Sequence, residues 1–208
     1  MFYVIWVELL YLMIHAFFKY IKFRVSSMLW ITRDYVHVDR VACPWLIRRF
    51  IDTKAQFIFL PREDIMEFVE KTGAIPFDTG TGIELNHFEE KGNKYCTFDA
   101  IIKKYKLTGD SALAKLQKIV NAADSSGGLE REPLAWVLEV IASGMPLLCE
   151  SDHEALEKEF PMYDGFYAYM QREIVLSKYT EEIKNMKNRG ERRGFIKNKI
   201  KELPSKML

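Results

Sequence analysis

Histidines and carboxylates with the spacing of metal ligands occur in two stretches of this 208-residue chain. Glu84 and His87 stand three residues apart, so they share one face if a helical turn forms there. His37 offers a second imidazole and Asp78 a further oxygen, which completes a set suited to a divalent ion of iron, manganese or zinc. Histidines hydrogen-bonded inside the fold are the competing interpretation. The spacing predicts a metal site of His37, Asp78, Glu84 and His87.

Arginines in the stretch around His37, residues 30–51, suggest a second kind of chemistry. Guanidinium groups bind oxyanions such as sulfate or phosphate through paired N–H donors. Arg33, Arg40 and Arg48 are the candidate oxyanion ligands, and Arg40 is favoured because it neighbours His37. The alternative is that the arginines pair with acids on a solvated face. The sequence contains no P-loop, dinucleotide-binding glycine pattern or nucleophile elbow.

The three cysteines, Cys43, Cys96 and Cys149, form no CxxC pair and no even set. This usage fits a reducing compartment better than a disulfide framework, so we expect a cytoplasmic protein. Cys43 and Cys96 could serve as a redox-sensitive pair or as extra ligands. The alternative is that each is a small buried hydrophobic residue.

Hydrophobic periodicity indicates which elements position these residues. Residues 29–33 alternate like a strand, Asp39 can cap a helix that continues through Trp45 and Arg49, and residues 55–60 form a second strand. This order predicts a βαβ unit at the start of the domain. Residues 74–77 form a third short strand, and residues 83–88 form the helical turn that carries Glu84 and His87.

The second half has helical spacing almost throughout. Predicted helices cover residues 97–105, 111–123, 133–142, 153–160 and 163–179. We therefore predict an α+β domain over residues 28–177, with a small β-sheet and a helix-rich C-terminal half. Asp124 and Asp164 are interpreted as helix caps or buried hydrogen-bond partners.

Terminal segments differ from this domain. Residues 1–27 form an apolar leader followed by basic residues, which is either a membrane anchor that leaves the domain in the cytoplasm or an upstream extension of a start at Met28. Residues 178–208 hold ten Lys and Arg against four Asp and Glu, so we expect a flexible basic tail. The net charge of +1 gives no electrostatic case for nucleic acid.

A longer pattern resembles a known family. The chain has W-x-T-R at 30–33 and H-V-D-R-x-A-C-P-W-L-I-R-R-F-I at 37–51, a run that is similar to the opening of the C-terminal domain of the chromate resistance protein ChrB family. Shorter pieces follow in order: P-F-D at 76–78, E-L-x-H at 84–87, C-T-F-D at 96–99, A-A-D at 122–124 and Y-D-G-F-Y at 163–167. The resemblance covers residues 30–169.

This resemblance implies a role in bacterial chromate resistance, a stress response in which the family is associated with sensing chromate. Full-length members carry an N-terminal DNA-binding domain, for which residues 1–27 are too short. The motif positions also include Asp39, Asp99, Asp124 and Asp164, a set too polar for a purely structural core. We expect an accessory or sensor domain that binds a metal or an oxyanion. The alternatives are a metal-dependent oxidoreductase acting on chromate or reactive oxygen, and a non-catalytic module beside a transporter or regulator.

Overall fold

A three-stranded parallel sheet opens the domain. The computed structural model describes residues 27–80, 82–125 and 127–208, so the leader predicted at 1–27 lies almost entirely outside the described residues. Strand β1 (Leu29–Arg33) lies between β2 (Gln56–Leu60) and β3 (Ile75–Pro76). Helix α1 (Val38–Phe50) connects β1 to β2, which confirms the predicted βαβ unit.

Both faces of this sheet are covered. Successive residues of β1 point to opposite faces. Trp30 therefore packs into the main core. Ile31 lies on the other face, where it packs with Ile65, the first residue of helix α2 (Ile65–Thr72). Helix α2 follows a 3₁₀ turn at Arg62–Asp64 and ends at Gly73, whose φ of 71° is the left-handed conformation that glycine adopts without strain.

The N-cap of helix α1 lies two residues before the predicted cap. His37 is the N-cap residue, and Asp39 lies inside the first turn with only 2% of its surface exposed. The interpretation of Asp39 as a helix cap was therefore wrong. Because Asp39 points inward from a helix start, its carboxylate needs partners in the interior.

A β-hairpin follows the sheet where the sequence predicted a helical turn. Strands β4 (Phe88–Glu90) and β5 (Asn93–Tyr95) pair in antiparallel fashion, and Phe88 stacks on Tyr95 with ring centroids 4.8 Å apart. Residues 83–87 are irregular apart from one bridge, between Leu85 and Phe77. The prediction of helix at 83–88 was therefore wrong, and Glu84 and His87 do not share a helical face.

The second half of the domain is helical, as predicted, and two further helices follow it in residues 178–208. The helices are α3 (Thr97–Lys104), α4 (Ser111–Ala123), α5 (Ala135–Gly144), α6 (Asp152–Lys178), α7 (Thr180–Lys184) and α8 (Arg189–Lys201), with a 3₁₀ turn at Met145–Leu148. Helix α6 is one continuous element through Pro161, whereas the sequence predicted two helices there. Within the described ranges, no helix is long and apolar enough to cross a membrane.

Aromatic side chains join α1 and α6 in the main core. Trp45 is fully buried, and its ring lies 5.8 Å from that of Tyr163 and 5.6 Å from that of Phe50. Burying such rings stabilises a fold more than burying smaller side chains, because each removes about 150–250 Å² of surface from water. This packing fixes the position of α1 on α6.

Residues 178–208, predicted to be a flexible tail, contain α7 and α8. The chain then folds back onto the domain. The amide of Lys206 donates to Asp110 Oδ2 at 3.1 Å, and the amide of Leu208 donates to the carbonyl of Arg49 at 2.8 Å. The structure thus has helices and docked backbone contacts in this segment.

Candidate metal centre

Three side chains from three elements converge at one point. Asp39 comes from the first turn of α1, His87 from the residue before β4, and Asp124 from the C-cap of α4. Each offers one ligand atom, and these atoms all lie within 4.8 Å of one another. His87 Nε2 is 2.9 Å from Asp124 Oδ2 and 3.7 Å from Asp39 Oδ2. We call these residues the Asp–His–Asp centre.

A backbone amide fixes one of the two carboxylates. Helix α3 begins beside the centre, and the amide of Thr97 donates to Asp39 Oδ2 at 2.6 Å. The first amides of a helix have no partner within that helix, so they are available to an acceptor such as this carboxylate. Asp39 is therefore held in a fixed orientation by the start of α3.

The other oxygen of Asp39 is left without a partner. Asp39 Oδ1 is buried and accepts no hydrogen bond in the described structure. Burial, followed by the charges of Asp124 and Asp78, raises the pKa of Asp39 well above its usual value. A buried carboxylate oxygen without a donor costs free energy unless a proton or a cation satisfies it. Asp39 Oδ1 therefore needs either a proton or a cation.

Asp78 adds a third carboxylate beside His87. Its Oδ1 lies 3.6 Å from His87 Nε2 and accepts a hydrogen bond from Thr97 Oγ1 at 3.2 Å. Its Oδ2 accepts from Arg33 Nη2 at 3.0 Å, and Arg40 Nε lies 3.7 Å from the same oxygen. Two arginines thus hold Asp78 in place at the edge of the centre.

His87 carries the positive charge among these carboxylates. The close approach of Asp124 raises the pKa of His87 to about 9, burial works against this shift, and the charges of Asp39 and Asp78 add to it. The imidazole is therefore protonated at neutral pH. The surroundings of His87 select for positive charge, which is the property that a cation site requires.

A cleft of about 850 Å³ opens onto this centre. His87 and Asp124 line it, together with Lys94 and Arg131. Neither of these two cations forms an ion pair with another side chain in the described part of the chain. Solvent reaches the centre here, because half of the His87 side chain is exposed.

Two of the four predicted metal ligands lie outside the centre. His37 Nε2 is 3.4 Å from Glu139 Oε1, and Glu84 is exposed with its Oε2 2.5 Å from Lys104 Nζ. The structure does not bring these two side chains together with His87. Asp78 and His87 are the predicted ligands that do meet, and Asp39 and Asp124 complete the group.

The predicted oxyanion ligands are engaged with the protein itself. Arg33 and Arg40 contact Asp78, as described above. Arg48 donates from Nη2 to the carbonyl of Ala55 at 2.6 Å and lies over the Phe57 ring. The structure gives Arg48 a contact with β2 and its neighbouring loop, not with the centre.

Cys43 and Cys96 are both buried near the centre. Burial is the largest cause of a raised pKa for each thiol, and the charge of Asp39 adds to it. The thiolate is the reactive form of cysteine, so a raised pKa makes a thiol less reactive at neutral pH. The predicted redox-sensitive role therefore finds no support in this environment.

Sequence reasoning missed Asp39 and Asp124 as neighbours of His87. Local pattern assigned both to helix capping, and Asp124 is indeed the C-cap residue of α4. The sequence did indicate a role beyond capping through the family-like pattern, because its motifs H-V-D-R and A-A-D each contain one of these aspartates.

Fold and site together define a small α+β domain with a carboxylate–histidine centre in a polar cleft. The family model described as the C-terminal domain of ChrB matches residues 30–170, and the chain belongs to this family. Protein ChrB of Cupriavidus metallidurans is 30% identical over 140 residues, which are 67% of this chain and 40% of that relative. The chain thus spans less than half the length of the relative. No solved structure matches it closely enough to be significant.

Proposed function

We propose that this chain is a chromate-resistance domain that binds one divalent metal ion through Asp39, His87 and Asp124. The observation that carries the proposal is the buried, unpartnered Oδ1 of Asp39 beside two further ligand atoms. The membership of the ChrB C-terminal family supports the link to chromate. The three cysteines are free, which supports a cytoplasmic location.

The types of ligand atom in the centre limit which metals it can bind. Two carboxylates and one imidazole suit iron, manganese or zinc, and a soft ion such as Cu(I) would need the thiolates that this centre lacks. Asp78 supplies a fourth oxygen or an outer hydrogen-bond acceptor, since Thr97 and Arg33 already hold it. Binding converts His87 to its neutral form and releases its proton, so the metal replaces the imidazolium as the local cation.

The cleft supports a place for a small oxyanion next to the metal. Lys94 and Arg131 form no ion pair with a described acid, and they line the same cleft as His87 and Asp124. Chromate or a similar oxyanion would enter through the cleft and face both the metal and the two cations. This assignment moves the oxyanion ligands from the predicted Arg33, Arg40 and Arg48 to Lys94 and Arg131.

Metal titration of chelator-treated protein tests the proposal. We expect one ion of Mn²⁺, Fe²⁺ or Zn²⁺ per chain in calorimetry, and an affinity reduced at least about a hundredfold in His87→Ala and Asp124→Asn. His37→Ala is the matched control, because it removes a histidine that lies outside the centre and should leave the affinity unchanged. An equal loss of metal affinity in all three variants would contradict the proposal, and so would wild-type protein that binds no ion.

A metal-dependent oxidoreductase is the second candidate function. The cleft favours it, because three protein ligands leave coordination positions for water or substrate, as in catalytic metal sites. The metal-loaded protein should then turn over superoxide, or chromate with an added reductant, and Asp124→Asn should abolish that turnover. Stoichiometric metal binding without any turnover would leave the sensor or accessory function.

A further inference from the structure

A groove far along the chain from the metal centre combines an apolar floor with basic edges. It lies between the second half of α6 and the segment formed by α7 and α8, and its volume is about 760 Å³. Leu176, Ile183, Ile196 and Ile200 form the floor, and all four are partly exposed. We call it the basic groove. Its apolar floor is of the kind that a partner surface covers.

Five cations edge the basic groove and no acidic residue lines it. They are Arg172, Arg189, Arg192, Arg193 and Lys197. Arg189, Arg193 and Lys197 form no ion pair with any other described residue, whereas Arg172 pairs with Glu173. Their positive potential is therefore available to an anionic partner.

Small residues on α6 leave room along the floor. Gly165 and Ala168 line the groove, and a Cβ added at Gly165 would meet no atom within 4 Å. The opposite wall, α8, has 13 residues and is therefore about 20 Å long. These dimensions fit an added helix of three to four turns, roughly the length of α8 itself.

We propose that the basic groove binds an acidic amphipathic helix of a partner protein. The apolar stripe of that helix would cover Leu176, Ile183 and Ile196, and its flanking carboxylates would meet the arginines along α8 and Arg172. This is the helix-in-groove mode of recognition, in which apolar anchors give affinity and charged edges set orientation. Double-stranded DNA fits less well, because its phosphates would leave the apolar floor uncovered.

The basic groove is independent of the metal centre. The family match ends at residue 170, and most residues that line the groove follow that position. The inferred partner is thus tied to this chain's own C-terminal helices. If the centre binds no metal, the inference about the basic groove still stands. If the basic groove binds no partner, the metal proposal still stands.

Peptide binding by the full chain tests the inference. The probe is a fluorescent peptide of about 15 residues, with leucines at i, i+3, i+4 and i+7 spacing and glutamates on the flanks. Fluorescence anisotropy should show saturable binding that weakens with added salt. The double variant Arg189→Glu/Arg193→Glu should weaken it about tenfold or more. A peptide with lysines on the flanks should bind that variant better than it binds the wild-type chain.

A control variant and two competing ligands test whether the basic groove binds an acidic helix specifically. Lys115→Glu/Lys118→Glu reverses two exposed charges on α4 and should leave the affinity for the glutamate peptide unchanged. The inference is overturned if the wild-type chain fails to bind the glutamate peptide, or if both double variants lose affinity equally. It is also overturned if random-sequence duplex DNA or phosphatidylglycerol vesicles bind more tightly and with the same sensitivity to Arg189→Glu/Arg193→Glu.

Discussion

Glu159 is a buried carboxyl group with neither of its oxygens hydrogen-bonded in the described structure. It lies on α6 with no exposed surface, one helical turn before Tyr163. Burial raises the pKa of Glu159 from 4.5 to about 7. The folded chain therefore keeps a proton on this group at pH values where the unfolded chain has already lost it.

The stability of the protein should consequently fall as pH rises from about 4.5 to about 7. In this range the folded state binds more protons at Glu159 than the unfolded state does, so raising the pH favours unfolding. Glu159→Gln removes the ionisation and should raise the free energy of unfolding at pH 8 by about 3 kcal/mol, an order-of-magnitude figure from the pKa shift. Urea denaturation of both proteins at pH 5 and pH 8 measures the difference.

Glu157→Gln is the control for this prediction, because Glu157 is exposed on the same helix. It should change neither the stability nor its pH dependence. A Glu159→Gln variant that is equally destabilised at both pH values would show that the carboxylate of Glu159 is satisfied in the native state.

Single residues of the site were predictable to different degrees. His87 was predicted from its three-residue spacing to Glu84, and Asp78 was predicted as a further oxygen ligand. Asp39 and Asp124 carry the same chemistry, but each sits at a helix end, where capping explains an aspartate locally. Only the packing of α1 against α4 and the hairpin brings them to His87. Glu84 was assigned from a helical turn that does not form, and His37 was assigned as a second imidazole to complete the ligand set.

At the scale of elements, Asp164 connects α6 to α1. It accepts hydrogen bonds from Arg49 Nε at 2.9 Å and Arg49 Nη2 at 2.8 Å, and from Trp45 Nε1 at 2.8 Å. The guanidinium beside it lowers the pKa of Asp164. Trp45 is fully buried, and Asp164 is the acceptor of its indole N–H in the native structure.

Asp164→Ala should therefore destabilise the protein by about 1–3 kcal/mol, the usual cost of an unpaired buried donor. Asp164→Asn keeps an acceptor for Trp45 and should cost less. Asp64→Ala, an exposed aspartate in the 3₁₀ turn, should be nearly neutral. Thermal melting of the three variants measures these effects, and equal melting temperatures for Asp164→Ala and Asp64→Ala would refute the role of Asp164.

Elements with long periodic patterns were predicted well, and short ones were not. The βαβ unit and helices such as α4 have several apolar residues at the expected spacing. Strands β4 and β5 have three residues each, too few for a period to be visible. Their connection uses Lys91 and Gly92 with φ of 54° and 77°, a tight hairpin turn that the sequence shows only as Lys-Gly-Asn.

At the scale of the whole molecule, the chain end closes onto the domain. Asp110 caps α4, accepts from the hydroxyl of Tyr167 at 2.6 Å and also holds the amide of Lys206. Composition alone predicted a flexible tail, because ten basic residues in this segment indicate solvation. Composition does not reveal that α8 packs on α6 or that backbone amides near the terminus find acceptors.

Hydrogen exchange should therefore detect protection at the C-terminus. The amides of Lys206 and Leu208 should exchange more slowly than expected for an unfolded chain, because both are hydrogen-bonded to the domain. Asp110→Ala should remove the protection at Lys206. Mass spectrometry of the C-terminal peptide measures it, and exchange at the rate of an unfolded peptide in the wild-type protein would show that the end is not docked.

We propose that one metal ion lies between Asp39, His87 and Asp124. Crystals soaked in Mn²⁺ and measured for anomalous scattering test it most directly. We expect a single strong peak about 2.0–2.3 Å from an oxygen of each aspartate and from a nitrogen of His87. A peak beside His37 and Glu139 instead, or no peak at the Asp–His–Asp centre, would contradict it.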